Sequence, residues 1–279
     1  MSDAVVLTLR SRLDGPLDVR GVTPDRCAGL AQSEIAALPV WAGATRAALG
    51  DVFDVRGERA LRLEFEGDLR AVHGLGAGTA AGEVSVRGDA GRETGAHMTG
   101  GVVHVHGSTG DDAGQAMAGG VLRVDGHAGS RLAGAAPGAS KGVTGGEIVV
   151  FGAAGDGVAA LMRRGLVAVA GGVGSFAGRG MIAGTLLVLG PVGDQPGLGS
   201  KRGSIIAAAG LTVPPTYRLA CTYEPPHVRL LLTSLRRRFA FPADAGLLAG
   251  PYDRYCGDAG EVGKGEILVW TGHARSSRA

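Results

Sequence analysis

Six short runs along the chain alternate apolar and variable positions. The apolar pairs are Val84/Val86, Val103/Val105, Leu122/Val124, Ile148/Val150, Val167/Val169 and Leu186/Val188. Period-two patterning in β-branched and leucine residues predicts short strands with one buried face. Each run starts one residue after a glycine of the series Gly82, Gly101, Gly120, Gly146, Gly165, Gly184 and Gly203, spaced 19, 19, 26, 19, 19 and 19 residues apart. Further glycines follow six and nine residues on, and Met98, Met117, Met162 and Met181 each stand three residues before an anchor. Strands this short, returning this regularly, do not fit a hairpin meander. Self-similarity at a fixed period predicts stacked units, with equivalent strands parallel and about 4.8 Å apart. The expected fold is all-β: a right-handed parallel β-helix of about seven 19-residue coils with mixed N- and C-terminal flanking segments. Apolar residues and methionines should form inward ladders, with glycine at corners of positive φ or no room for a Cβ.

The period also divides the chain. Residues 1–60 break it and are expected to cap one end, with a strand at Val5–Leu9 and a short helix at Ser33–Leu38 started by Ser33. Residues 61–210 form the periodic body, with Leu61–Gly67 as a degenerate first unit. Residues 211–279 form a C-terminal segment with a helix at Pro226–Arg238 and a closing strand at Glu266–Thr271. The 26-residue step is a seven-residue insertion around Ala135–Lys141. Small, polar and proline-containing, it predicts a loop projecting from a corner that touches a partner or carrier.

Composition narrows the function. The 279 residues include 51 glycines without a Gly-X-Y triplet, which excludes collagen. A net charge of +2 gives no nucleic-acid or membrane bias, and no apolar run reaches spanning length, so a cytoplasmic location is expected. Cys27, Cys221 and Cys256 lack metal-binding spacing. Nineteen residues do not fit a hexapeptide left-handed helix. Asp89, Asp111 and Asp156 hold no single register, which argues against a calcium-loaded nonapeptide roll.

Candidate chemistry is sparse. His73–Gly78 departs from the dinucleotide fingerprint, and Gly263-Lys264-Gly265 lacks the rest of a phosphate loop; both read as turns. His104 and His106 point outward from one strand, with His106 between Arg87 and Asp125 in the stacked register. They are the candidates for a metal site, although a solvated polar ladder is the reading the residues favour, and no bound metal is expected. No serine or cysteine is placed beside a base, so no catalytic residue is assigned. Phe151, Leu166, Leu187 and Leu189 would make an outward apolar patch, covered by the 226–238 helix or by a partner subunit. Lys141, Lys201, Arg202 and Arg236–Arg238 are candidates for holding an acidic group; Lys141 also belongs to the expected interface.

The spacing Gly82, Gly88, Gly91, Gly95, repeated at Gly165, Gly171, Gly174, Gly178, resembles a glycine-rich β-helix that two groups share. One is the C-terminal domain of glutamate synthase large subunits, and the other is the C subunit of formylmethanofuran dehydrogenase. Val22-Thr-Pro-Asp25, Ile35 to Pro39, Leu49-Gly-Asp51, Gly257-Asp258 and Gly263-Lys-Gly-Glu-Ile267 resemble the pattern of the dehydrogenase group, so the likeness runs over nearly the whole chain. A glutamate synthase would need a glutaminase domain and cluster cysteines. The resemblance implies a non-catalytic structural and assembly subunit, most like that of the bacterial formyltransferase/hydrolase complex, to which the arginine-rich composition leans. It implies amidohydrolase-like, molybdopterin-enzyme-like and formyltransferase partners, and a methanofuran-type carrier in the complex but no cofactor on this chain alone. Two alternatives follow from it: a module guiding the polyglutamate tail of the furan cofactor, and the same subunit in an archaeal tungsten or molybdenum formylmethanofuran dehydrogenase.

Overall fold

The computed structural model describes residues 4–272. Its strands are β1 (Val5–Leu9), β2 (Leu17–Asp18), β3 (Pro39–Ala42), β4 (Thr45–Ala48), β5 (Phe53–Arg56), β6 (Arg62–Glu66), β7 (Val72–His73), β8 (Glu83–Arg87), β9 (Thr99–Val105), β10 (Gly119–Val124), β11 (Glu147–Val150), β12 (Leu166–Val169), β13 (Thr185–Val188), β14 (Arg202–Ala207), β15 (Arg218–Tyr223), β16 (Tyr252–Gly257) and β17 (Lys264–Trp270). The helices are α1 (Pro24–Cys27), α2 (Gln32–Ala36), α3 (Leu49–Val52), α4 (Pro226–Phe239) and α5 (Ala245–Ala249).

Thirteen strands join one sheet in the order β15-β16-β17-β14-β13-β12-β11-β10-β9-β8-β6-β1-β5, and β4-β3-β2-β7 form a second. This corrects the expected right-handed parallel β-helix: the architecture is a large mixed sheet, mostly parallel, with helices. The 19-residue period dictates only which residues pair, and it does so through Val84, Val103, Leu122, Ile148, Val167, Leu186 and Ile205, each opposite the next. The flanks do not stand apart from that sheet. β5 pairs antiparallel with β1, and β15 and β16 form antiparallel pairs beyond β17. The expected closing strand is β17, but it lies inside the sheet, parallel to β14. The expected helix at Ser33 starts one residue earlier and is capped by Ala31; Glu34 supplies the side chain, accepting from the Ala31 N–H at 2.8 Å, which is why a serine there is not needed. The last seven residues of the C-terminal segment lie outside the described residues.

Every residue two and four after an anchor, from Val84 to Val188, is fully buried, as are Met98, Met117, Met162 and Met181. The glycines divide into two kinds. All seven anchors take φ between +67° and +104°, a conformation that costs other residues about 1–2 kcal/mol. The glycines six and nine residues on, Gly88 excepted, have no room. A Cβ on Gly126 would sit 2.5 Å from Ser108 Oγ, one on Gly152 2.8 Å from His127 Nδ1, and one on Gly155 2.5 Å from Ser130 Oγ. Those side chains fill the space because they accept backbone hydrogen bonds from the next unit. His127 N–H donates to Ser108 Oγ (3.0 Å), Ala153 N–H to His127 Nδ1 (3.0 Å) and Asp156 N–H to Ser130 Oγ (3.3 Å).

On the outer face of β11–β14, Val149, Ala168, Leu187 and Ile206 pack against Val228, Leu232 and Leu235 of α4 and Leu247 of α5. Pro226 opens α4, and Arg236–Arg238 sit in its last turn, where cations complement the helix dipole. Arg238 reaches back to Glu147 at 2.6 Å, so the helix is docked both by apolar contact and by an ion pair.

Three substitutions test this packing. Val167→Asp buries an unpaired carboxylate and should destabilise the chain by about 4 kcal/mol or more, read as a collapse of the thermal melt. Gly155→Ala should cost about 1–3 kcal/mol, whereas Gly29→Ala, where a new methyl meets nothing within 4 Å, should leave the melting temperature essentially unchanged.

Candidate functional site

On the part of the sheet that α4 and α5 leave open, β8, β9 and β10 bring six polar side chains together. Alternation sends residues three and five after each anchor outward, and parallel pairing sets them side by side. His104 Nε2 donates to Asp125 Oδ2 at 2.7 Å, and His106 Nδ1 lies 3.7 Å from the same oxygen. Arg123 Nε donates to the other oxygen, Oδ1, at 2.7 Å. Ser85 Oγ is 3.1 Å from His106 Nε2, and Arg87 is 3.4 Å from that nitrogen and 3.4 Å from Glu64. The two imidazole centroids are 3.9 Å apart. Burial, then His104 and Arg87, push the His106 pKa down. For Asp125 burial acts upward, but the hydrogen bonds from Arg123 and His104 outweigh it and hold the carboxyl below its ordinary range. Of the two histidines, the sequence register places His106 beside Asp125; the tighter bond is made by His104.

Ser85, His106 and Asp125 follow the order of a nucleophile, base and orienting acid, a constellation hidden in the sequence because its members lie on three strands. The arrangement is unsuited to nucleophilic attack. Ser85 is 2% exposed, Asp125 is too far from His106 Nδ1 for a hydrogen bond, and its better partner is His104. What the cluster offers instead is two imidazole nitrogens and a carboxylate oxygen, all within 4.8 Å of one another.

A second hub is Asp112. It takes Arg131 at 2.6 Å, Arg92 at 3.1 Å and Gln115 at 3.1 Å, with its side chain 7% exposed. Burial acts to raise its pKa, and the Arg131 and Arg92 hydrogen bonds more than offset that, lowering it from 3.8. The aspartates that hold no nonapeptide register have roles of their own. Asp111 and Asp156 occupy one position of the period and accept from Ser130 and Ser175 N–H groups, while Asp89 occupies the other and accepts from Ser108 N–H. Counting the seven-residue insertion into the spacing reveals them. Burial pushes the Cys27 thiol up to about 11, which makes it inert at neutral pH.

The cationic candidates are scattered. Lys201 lines a groove of about 640 Å³ together with Ser140, Leu161, Arg179, Ile182 and Leu198. Lys141 is exposed beside Ser140, so the insertion forms one wall of that groove. Asp258 at its far wall is occupied in accepting from Gly199 and Gly260 N–H groups, both at 2.9 Å. Arg202 is exposed at the start of β14. Arg236 and Arg237 belong to a separate hollow on α4, with Thr233 and Leu248. The apolar patch expected as an interface is covered from within the chain: Leu187 is 1% exposed, and Phe151, Leu166 and Leu189 are partly buried against the α4–α5 cluster.

A crystal structure of the formyltransferase/hydrolase complex (FhcABCD) from Methylorubrum extorquens, in complex with methylofuran, contains a chain 38% identical to this one. The match covers 95% of this chain and 98% of that one, with a TM-score of 0.87. The chain belongs to the family of formylmethanofuran dehydrogenase C subunits. Curated relatives in that family match a shorter stretch. The C subunit of tungsten-containing formylmethanofuran dehydrogenase 2 from Methanothermobacter wolfeii is 31% identical over 97 residues, 33% of this chain and 36% of that protein. The C subunit of molybdenum-containing formylmethanofuran dehydrogenase 1 from Methanosarcina barkeri is 32% identical over 92 residues, 31% of each. The chain thus spans about a third of the length of the curated relatives it matches. No family model matches it. Among the described residues of this family member, no helix is long and apolar enough to cross a membrane.

Asp112 sets an acid limit on the fold. Because its folded pKa lies below 3.8, its contribution is complete above that value and is lost as pH falls through the lower folded value. Melts of the wild-type chain should therefore weaken below about pH 4. Asp112→Asn should cost about 1–3 kcal/mol at neutral pH and melt with a flatter acid dependence.

Proposed function

We propose that the chain is a non-catalytic structural and assembly subunit of a formyltransferase/hydrolase-type complex. In that role it acts in the cytoplasm, in oxidation of one-carbon units to formate through methanofuran-type and tetrahydromethanopterin carriers. Its partners are amidohydrolase-like, molybdopterin-enzyme-like and formyltransferase subunits. The observation that carries this reading is the 38% identity extending over 95% of the chain to a component of such a complex. The tungsten- and molybdenum-containing relatives are matched over about a third of the chain, so the bacterial type of complex is preferred to the archaeal dehydrogenase. In this reading the long stacked sheet is a rigid support that keeps partner subunits at fixed spacing.

The 640 Å³ groove favours a second role within the same complex. Arg179 and Lys201 in its lining and the apolar Leu161, Ile182 and Leu198 suit an extended acidic carrier such as the polyglutamate tail of a furan cofactor; of its two carboxylates, Asp258 is held by backbone N–H groups and Glu261 is left to oppose such a tail. The insertion 134–144, which supplies Ser140, then guides the carrier or meets a partner, with Lys141 the residue that faces an acidic group.

Native gel filtration tests the assembly role. The chain should elute far above 28.0 kDa, together with formyl-transfer and hydrolysis activity; a lone monomer would sink the reading. Deleting residues 135–141 restores the 19-residue step and should leave the melt of the isolated chain unchanged while lowering assembly or turnover of the complex. Full assembly and full turnover in the shortened protein would remove the loop from any such role.

A further inference from the structure

We propose that His104, His106 and Asp125 form a binding site for one divalent late transition ion of the zinc type, on the open face of β9 and β10. From sequence, these histidines read as a solvated ladder. Spacing alone does not show that the carboxylate and both rings converge, nor that His106 and Asp125 have second partners holding them in a ligating orientation.

The donors are suited to such an ion. Imidazole nitrogen and carboxylate oxygen bind zinc at about 2.0–2.2 Å, which places neighbouring donors about 3.4 Å apart in a tetrahedron. Here Asp125 Oδ2 is 2.7 Å from His104 Nε2 and 3.7 Å from His106 Nδ1, so an ion between them requires the first pair to open by about 0.7 Å and the second to close by about 0.3 Å, with all three donors already within 4.8 Å of one another. Binding requires the His104 proton now shared between Nε2 and Asp125 to pass to Nδ1, so that the neutral ring presents Nε2 as a lone pair to the ion.

The surrounding shell is already arranged. Metal-binding histidines use their second nitrogen to donate to an oxygen, which fixes the ring; Ser85 Oγ, 3.1 Å from His106 Nε2, is that acceptor once the ring carries its proton on Nε2, a tautomer that turns the Arg87 N–H now 3.4 Å away toward Glu64. Ser85 therefore has a positioning role that agrees with its burial, where a nucleophile's role does not. Arg123 occupies Asp125 Oδ1 at 2.7 Å and leaves Oδ2 as the ligating atom. The positive charge of Arg87 is offset by Glu64 and that of Arg123 by Asp125, so the site carries no net charge to repel a cation. His104, His106 and Asp125 have side-chain exposures of 23%, 32% and 30%. The ion can enter from solvent, and a fourth, outward position remains for water or for a side chain of a partner.

This inference is independent of the family role proposed above and is tested on the full chain by itself, produced without a histidine tag and stripped with chelator. Titration with zinc should give one equivalent, and cobalt should produce the visible absorption of a four-coordinate ion. His104→Ala, His106→Ala and Asp125→Asn should each weaken zinc binding by about tenfold or more, and Ser85→Ala by less. Circular dichroism checks that the variants fold, and His106→Gln, which keeps the size of the side chain, replaces any that do not. Absence of stoichiometric zinc uptake by the wild-type chain overturns the proposal. So does uptake that persists undiminished in a folded variant lacking both histidines.

Discussion

Close approach of backbone to backbone between successive 19-residue units is the constraint on which the structure depends. Parallel strands supply it across the sheet, where Val, Leu and Ile stack on their counterparts. Between strands it is supplied by side chains that bond to the next unit's backbone, such as Ser108 to His127 N–H and Ser130 to Asp156 N–H. A methyl group on the intervening glycines would occupy the same space as those side chains. Glycine abundance here thus reflects two demands, left-handed backbone and excluded volume; the anchors meet both, and most glycines six and nine residues on meet the second alone.

The pairing register was legible in the sequence because it depends on local alternation and on a period long enough to count. Val84 through Val188 and the four periodic methionines could be placed inside with no other information. The mixed character of the sheet was not legible. β15 and β16 have no repeat to betray them, and β15 is exposed over most of its length, so its residues carry no buried-face pattern. A third feature escaped for a different reason. The residue eleven after each anchor is left-handed at Glu93, Asp112, Arg131, Phe176 and Gln195, and only Gly157 is glycine there. Packing from neighbouring units imposes that conformation against local preference, and nothing in the residue types announces it.

The site was legible to a lesser degree. His104 and His106 stood out as a pair, and their outward direction followed from the period. Their partners did not, because hydrogen-bond choice among Ser85, Arg87, Arg123 and Asp125 is settled by side-chain rotamers on three adjacent strands. The same face shows how sequence alone left the apolar patch open. Leu187 needed covering, and the amphipathic face of Val228, Leu232 and Leu235 was recognisable, but the match between them is tertiary. The cover ends near Phe151, whose ring meets Phe241 on one side and the Arg123 guanidinium on the other. The boundary between dry and wet halves of the sheet runs through that ring.

A stack of identical parallel strands has no natural length. Its last strand presents the same unpaired edge as every strand before it, so a second molecule could continue the series and a third could follow, giving a fibre. This chain reverses direction at both ends instead. β5 runs against β1, and β16 and β15 run against their neighbours. At the β5 edge an incoming parallel unit would meet a strand of the wrong polarity and a different hydrogen-bond spacing; at the other edge two reversals return β15 to the direction of β14, and there a register shift between Leu219 and Cys221 breaks the regular edge. Reversed polarity at one edge and a shifted register at the other give the sheet a fixed number of strands, set by its own sequence and independent of its concentration.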